Sequence, residues 1–140
     1  MFPAGKYFVG DLCYVMTDKQ WDIVCIHDLT EGTTDSGLKF AIERTTYGDG
    51  TYSDQFDNLY SVDSGTIGCI QWDESLTHKY GARLRELGAI IDFDKDFEVY
   101  ESSGMIHIGH IGIDTGDSSY DEEYYYDEGY YDNDDDERDE

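Results

Sequence analysis

At 140 residues the chain has room for one domain and its appendages. It carries 33 acidic against 9 basic residues, a net charge of −24 at pH 7. This balance excludes an electrostatic grip on nucleic acid or on an anionic membrane, since both need Lys and Arg, and it attracts basic surfaces.

The charge is uneven. Residues 114–140 hold fourteen acids and one arginine, a net of −13, against −11 for residues 1–113. Solubility is the plain use of such a charge, but the excess is large enough to favour a basic partner as well. Cys13, Cys25 and Cys69 form no C-x-x-C and no dense disulfide pattern. They fit a reduced, cytoplasmic protein (the host cytoplasm, if the chain is viral) with cysteines used as small apolar residues. The start, Met1-Phe2-Pro3-Ala4-Gly5-Lys6, lacks the apolar run of a secretory signal. No stretch approaches the roughly 20 apolar residues of a membrane helix, so no membrane partner is expected.

In chain order, residues 5–9 read as a strand and residues 12–16 as its continuation after Gly10-Asp11. Thr17-Asp18-Lys19-Gln20 fits a capping box and opens a helix, with Trp21, Val24, Cys25 and Leu29 on one apolar face. Residues 31–37 read as a polar turn and 38–46 as a strand with Leu38, Phe40 and Ile42 on one face. Turn signals at Gly48-Asp49-Gly50 and over 54–58 bound a short strand around Tyr52. Strands follow over 59–62 and 66–72. Asp73 or Ser75 caps a second helix carrying Leu76, Tyr80, Leu84 and Leu87, weakened by Gly81 and stopped at Gly88. Residues 89–93, 97–100 and 105–113 read as closing strands, with Ser102-Ser103-Gly104 as a hairpin turn. Ile106 and Ile108 share a phase that Ile111 and Ile113 do not, which predicts a β-bulge at Gly109.

The expected architecture is a β-rich α+β domain over residues 1–113. It is a mainly antiparallel sheet, or a small barrel or sandwich, with two helices. An acidic, tyrosine-rich tail over 114–140 follows. Beyond Asp117 the tail has no aliphatic residue and is expected to be disordered when free.

Three stretches, Tyr7-Phe8-Val9-Gly10-Asp11-Leu12-Cys13-Tyr14-Val15, Tyr47-Gly48-Asp49-Gly50-Thr51-Tyr52 and residues 60–68 (Y-S-V-D-S-G-T-I-G), occur together. They resemble a family of small uncharacterised phage, viral and bacterial proteins. Those proteins share a YFVGD-x-CYV start before a tryptophan-containing helix, a central YGDG-x-Y and a VDSG-x-IG. Leu12 stands where that family pattern has proline. The resemblance covers roughly residues 5–72. It implies a fold and a viral or bacterial setting, and no activity.

The motifs that carry chemistry are incomplete. Asp11, Asp49 and Asp63 sit in Gly-Asp and Asp-Ser-Gly turns. Three carboxylates at strand ends can hold a metal or move a proton, but these sequences are also what tight turns require, and no base or nucleophile accompanies them. Asp92-Phe93-Asp94-Lys95-Asp96 opens like a calcium loop, then places Phe97 and Ser103 where Gly and Glu are needed. His107 and His110 lack two further zinc ligands at suitable spacing, and in a regular strand would face opposite ways. No cofactor and no metal is expected. Ser118 and Ser119 each precede an acid by three residues, the pattern of acid-directed kinases.

The tail gives the most specific expectation. Extended at ~3.3 Å per residue, with an acid at every second residue, it carries a charge every ~6.5 Å. That is sparser than duplex DNA, with a charge every ~1.7 Å counting both strands or ~3.4 Å per strand, and the segment resembles a single strand more. A helix at ~1.5 Å rise would approach the density of one DNA strand, but Gly116, Gly129 and like-charge neighbours disfavour one. The tyrosines stand between charges as bases do in a single strand, where they can stack or receive arginine over their faces. The candidate partner-binding residues are Tyr120, Asp121, Glu122, Glu123, Tyr124, Tyr125, Tyr126, Asp127, Glu128, Tyr130, Tyr131, Asp132, Asp134, Asp135 and Asp136. The expected function is a non-enzymatic acidic protein that occupies a basic, nucleic-acid-binding protein surface, with no direct nucleic-acid contact. The alternatives are a virion structural or assembly protein, and a small metal-dependent enzyme using Asp11, Asp49 and Asp63.

Overall fold

The computed structural model describes residues 1–115. The strands are β1 (Gly5–Gly10), β2 (Glu31–Thr33), β3 (Lys39–Arg44), β4 (Gly50–Ser53), β5 (Leu59–Val62), β6 (Thr66–Gln71), β7 (Ala89–Phe93), β8 (Val99–Ser102), β9 (Met105–Ile108) and β10 (Ile111–Asp114). One α-helix, α1 (Asp18–His27), and three 3-10 segments accompany them. Every strand pair is antiparallel, so the chain is the β-rich α+β protein its sequence implies.

The central sheet has the order β2-β3-β6-β1-β7. Successive side chains on a strand alternate faces, and in β1 Tyr7, Phe8 and Val9 are all buried. Both faces of this sheet are therefore covered. Phe8, Phe40 and Ile70 pack with Leu12, Val24 and Leu84 beneath α1 and the 3-10 segments. Val9, Ile67 and Cys69 pack on the other face with Ile106, Ile111 and Ile113. Those isoleucines come from a small sheet, β10-β9-β8, beside the hairpin β4-β5. Burying each such side chain stabilises the fold by about 1.5–3 kcal/mol. Gly68 marks the tightest approach in the sheet. A Cβ there would lie 2.0 Å from the Ala41 carbonyl oxygen, so β3 and β6 accept no side chain at that point.

Local chemistry sets the elements. The Thr17 hydroxyl accepts the Gln20 N–H at 3.1 Å and starts α1. The Gln20 amide oxygen accepts the Asp35 N–H at 3.4 Å, so it serves the neighbouring loop. Asp28, left-handed at φ 51°, ends the helix. The expected apolar face is only partly covered: Val24 is buried, Trp21 and Leu29 are half-buried and Cys25 is exposed. Residues 12–16, expected as strand, open with a 3-10 turn (Leu12–Tyr14) because the Asp11 carboxylate accepts the Cys13 N–H and curls the chain. The second helical region winds as two 3-10 pieces, Glu74–Thr77 capped by Asp73, and Gly81–Glu86. Gly81 takes φ +56° and separates them. Glu31–Thr33, expected within a polar turn, forms a short edge strand on β3.

The phase change at Gly109 is a hairpin turn, not a bulge. Ile108 pairs with Ile111 across Gly109-His110, and Gly109 adopts φ +58° at the position where two-residue hairpins favour glycine. The turn returns Ile111 and Ile113 to the buried side occupied by Ile106 and Ile108. Ser103 and Gly104, both at positive φ, close the expected β8–β9 hairpin. Among the described residues no helix is long and apolar enough to cross a membrane.

Candidate functional site

The tail residues from Tyr120 to Asp136, with Ser118 and Ser119, lie outside the described residues. Their point of departure is fixed. Asp114 pairs with Met105 at the end of β10. Thr115 is buried, and its N–H and hydroxyl donate to the Gly104 carbonyl at 2.9 and 2.7 Å. The same hydroxyl accepts the Thr46 N–H at 3.1 Å.

The three turn aspartates have different fates. Asp11 is fully buried, and its carboxylate accepts the N–H groups of Cys13, Asp63 and Ser64 and the hydroxyl of Ser64, at 2.7–3.0 Å. It therefore ties the first resembling stretch to the third. Asp63 and Asp49 are exposed. The middle stretch joins the others through backbone: Thr45 N–H donates to the Gly65 carbonyl, and the hydroxyls of Thr45 and Tyr52 donate to the Gly48 carbonyl. The three stretches thus form one scaffold in which Asp11 holds a turn. Among the described residues no three His, Cys, Asp or Glu side chains gather as metal ligands. Burial, then the neighbouring Asp11, raises the Cys13 thiol, and burial pushes Cys69 up to about 12. Both stay protonated at neutral pH.

A fourth aspartate was legible only as a turn residue. Asp54 is 6% exposed. Its carboxylate accepts the N–H groups of Phe56 and Asn58, the Asn58 amide and the Tyr60 hydroxyl, at 2.7–3.1 Å. Burial alone would raise its pKa, but these donors outweigh burial and lower it. Burial, then the hydrogen bond to Asp54 and its charge, raises Tyr60 above the usual tyrosine range.

Of the concave regions on the described residues, two bring several acidic side chains together. One, of about 680 Å³, is lined by Asp92, Asp94, Asp96, Glu98, Tyr100 and His110 among others. The D-x-D-x-D run is thus an acidic rim, and the Asp96 carboxylate accepts the Ala4 N–H at 3.0 Å. The histidines serve as aromatic surfaces. His107 stacks on Tyr100 with centroids 4.5 Å apart, and His110 meets the Phe93 ring at 5.3 Å.

The other region is a cleft of about 600 Å³ between α1 and the end of β3. Trp21, Val24, Leu29 and Ile42 line it, and so do Glu43 and Glu101. Arg44 donates to the Asp28 carboxylate at 2.8 Å, joining β3 to the end of α1 at this cleft. Burial, then the like charge of Glu101, raises the Glu43 pKa. Sequence reasoning placed Leu38, Phe40 and Ile42 on the buried face of β3 and missed Glu43. The available signal was the unbroken apolar run of β1, which implies a sheet covered on both faces.

No family model, no curated protein and no solved structure matches the chain.

Proposed function

We propose that this chain is a non-enzymatic acidic binding protein. It presents its C-terminal acid–tyrosine segment, backed by an acidic domain, to a basic surface that a partner uses to bind nucleic acid. In a phage or viral setting such a nucleic-acid mimic would inhibit a host defence protein. One observation carries the reading: a net charge of −24, of which −13 falls in residues 114–140 interleaved with tyrosine. The folded part adds to this charge, with 19 acids against 8 Lys and Arg in residues 1–113. The buried anchor at Thr115 favours it too, since the segment leaves from a fixed point on the domain.

The test is competition. Full-length protein is titrated against labelled single-stranded DNA and RNA held by a panel of basic-groove proteins. A full-length variant with Asp and Glu of residues 117–140 changed to Asn and Gln serves as control. The expected result is displacement by the native chain that weakens steeply with added salt and is lost in the variant. Equal displacement by both chains, or none by either across the panel, overturns the proposal.

A further inference from the structure

β7 closes one edge of the central sheet and β2 closes the other. The two edges are unlike. β2 has three residues, Glu-Gly-Thr, and its shortness and charge guard it against pairing. β7 has five, Ala-Ile-Ile-Asp-Phe, with no proline, glycine or lysine among them. The Trp72 N–H donates to the Lys6 carbonyl at 2.8 Å. Lys6 therefore turns its backbone groups toward β6, and Tyr7, by alternation, turns its own toward β7. Tyr7 lies opposite Ile91. Ile91 thus exchanges its bonds with Tyr7, while Ile90 and Asp92 turn their N–H and C=O groups outward. Among the described residues no hydrogen bond reaches these outward groups. Charge is divided along the same edge. Arg85 and Ile90 line one hollow of about 330 Å³, which Glu74 also lines. Arg85 is exposed and has no ion pair among the described residues. Asp92, two residues after Ile90 and on the same face of the strand, is exposed as well.

We propose that β7 pairs antiparallel with β7 of a second copy, about a two-fold axis through Ile91. The strand is self-complementary in this register, as a symmetric interface requires. Ile90 of each copy faces Asp92 of the other, and the outward N–H and C=O groups of the two residues satisfy one another. Ile91, half-buried in one chain, meets its symmetry mate at the axis. The same register brings Asp92 of each copy opposite Ile90, and so beside Arg85, of the other. Charge selects this occupant. An axis at Asp92 would oppose like charges directly. The chain's own residues 114–140, with fourteen acids and one arginine, would bring mostly like charge to Asp92. The pairing does not depend on what the acidic tail binds, so it stands or falls separately from the competition assay above.

Full-length protein is followed by sedimentation velocity over roughly 1–300 µM at about 0.15 M salt, which screens charges more than ~8 Å apart. A monomer–dimer equilibrium is expected, half-complete at or below about 100 µM. Ile91→Lys sets like charges against each other at the axis and should weaken the dimer at least ~10-fold. Charge reversal supplies a result that misfolding cannot imitate. Arg85→Glu alone and Asp92→Arg alone should each stay monomeric. An equimolar mixture of the two should dimerise, because each copy then offers the other the opposite charge at both contacts. Hydrogen exchange on the native chain needs no variant. The Ile90 and Asp92 amides should exchange more slowly as concentration rises, and those of Glu31 and Thr33 on β2 should not change. A monomer throughout the range, an Ile91→Lys variant that dimerises as tightly as native protein, a mixture no tighter than its components, or slowed exchange on β2 without β7 overturns the proposal. So does protection of the Ile90 and Asp92 amides that is independent of concentration, which would identify the chain's own tail as the occupant.

Discussion

Asp54 and Glu43 are both withdrawn from water, and the protein treats them in opposite ways. Around Asp54 four donors converge on one carboxylate, two from the backbone of its own turn and two from Asn58 and Tyr60. Around Glu43 the neighbour that matters is another carboxylate, Glu101. The first arrangement spends the charge on holding a loop in shape. The second leaves it unmatched beside a cavity. A withdrawn charge that is fully hydrogen-bonded holds architecture, and one left beside a like charge costs stability.

The largest effect should come from removing the satisfied charge. Asp54→Ala strands a tyrosine hydroxyl, an amide and two N–H groups, and should destabilise the fold by about 3–5 kcal/mol in urea titration. A loss below about 1 kcal/mol would mean that water replaces the carboxylate and that the loop is not held as described. The pH profile carries the same distinction. The folded pKa of Asp54 lies below the ordinary 3.8, so its contribution is complete above that value and is lost as pH falls through the folded pKa. The stability advantage of native protein over Asp54→Ala should therefore be constant above pH 3.8 and shrink as pH falls below it.

Tyr60→Phe is the intermediate case. It removes one donor from Asp54 and keeps the ring, which is fully buried in the core. The expected loss is about 1–2 kcal/mol. The double variant Asp54→Ala/Tyr60→Phe should lose less than the sum of the two, since the pair is coupled. Additive losses would show that the 2.7 Å bond between them contributes little.

How far the sequence reveals these features follows from where each signal resides. α1 was readable because its start is local: Thr17 and Gln20 lie three residues apart. The hairpins are readable to the extent that their turn residues are distinctive: Ser103-Gly104 spells a turn, whereas Gly109-His110 fits a bulge as well as a turn. Both readings of Gly109 explain a phase change, and only the pairing of Ile108 with Ile111 separates them. The role of Asp11 was half visible. The sequence marked it as a turn residue, but its partners lie 52 and 53 positions away. Glu43 was invisible for a different reason. Alternation shows which residues of a strand share a face, not whether the second face is also covered, and the sheet formed by residues 99–114 that covers it is remote in sequence.

The smallest effect, and the one with opposite sign, belongs to Glu43→Gln. In the native protein burial and Glu101 hold the folded pKa of Glu43 above the ordinary 4.5. A carboxyl group shifted this way contributes its full stability below its unfolded pKa and loses it as pH rises through the folded value. At pH 7 the ionised side chain is therefore a burden, and a neutral glutamine of the same shape should stabilise the protein by about 0.5–1 kcal/mol, the scale of a partly exposed charge interaction. Below pH 4.5 the advantage should vanish, because Glu43 is then protonated as well. Urea titrations of both proteins at pH 7 and pH 4 measure the difference directly. If the variant is less stable at pH 7, then Glu43 already has a favourable partner in the folded chain, and the contrast with Asp54 fails.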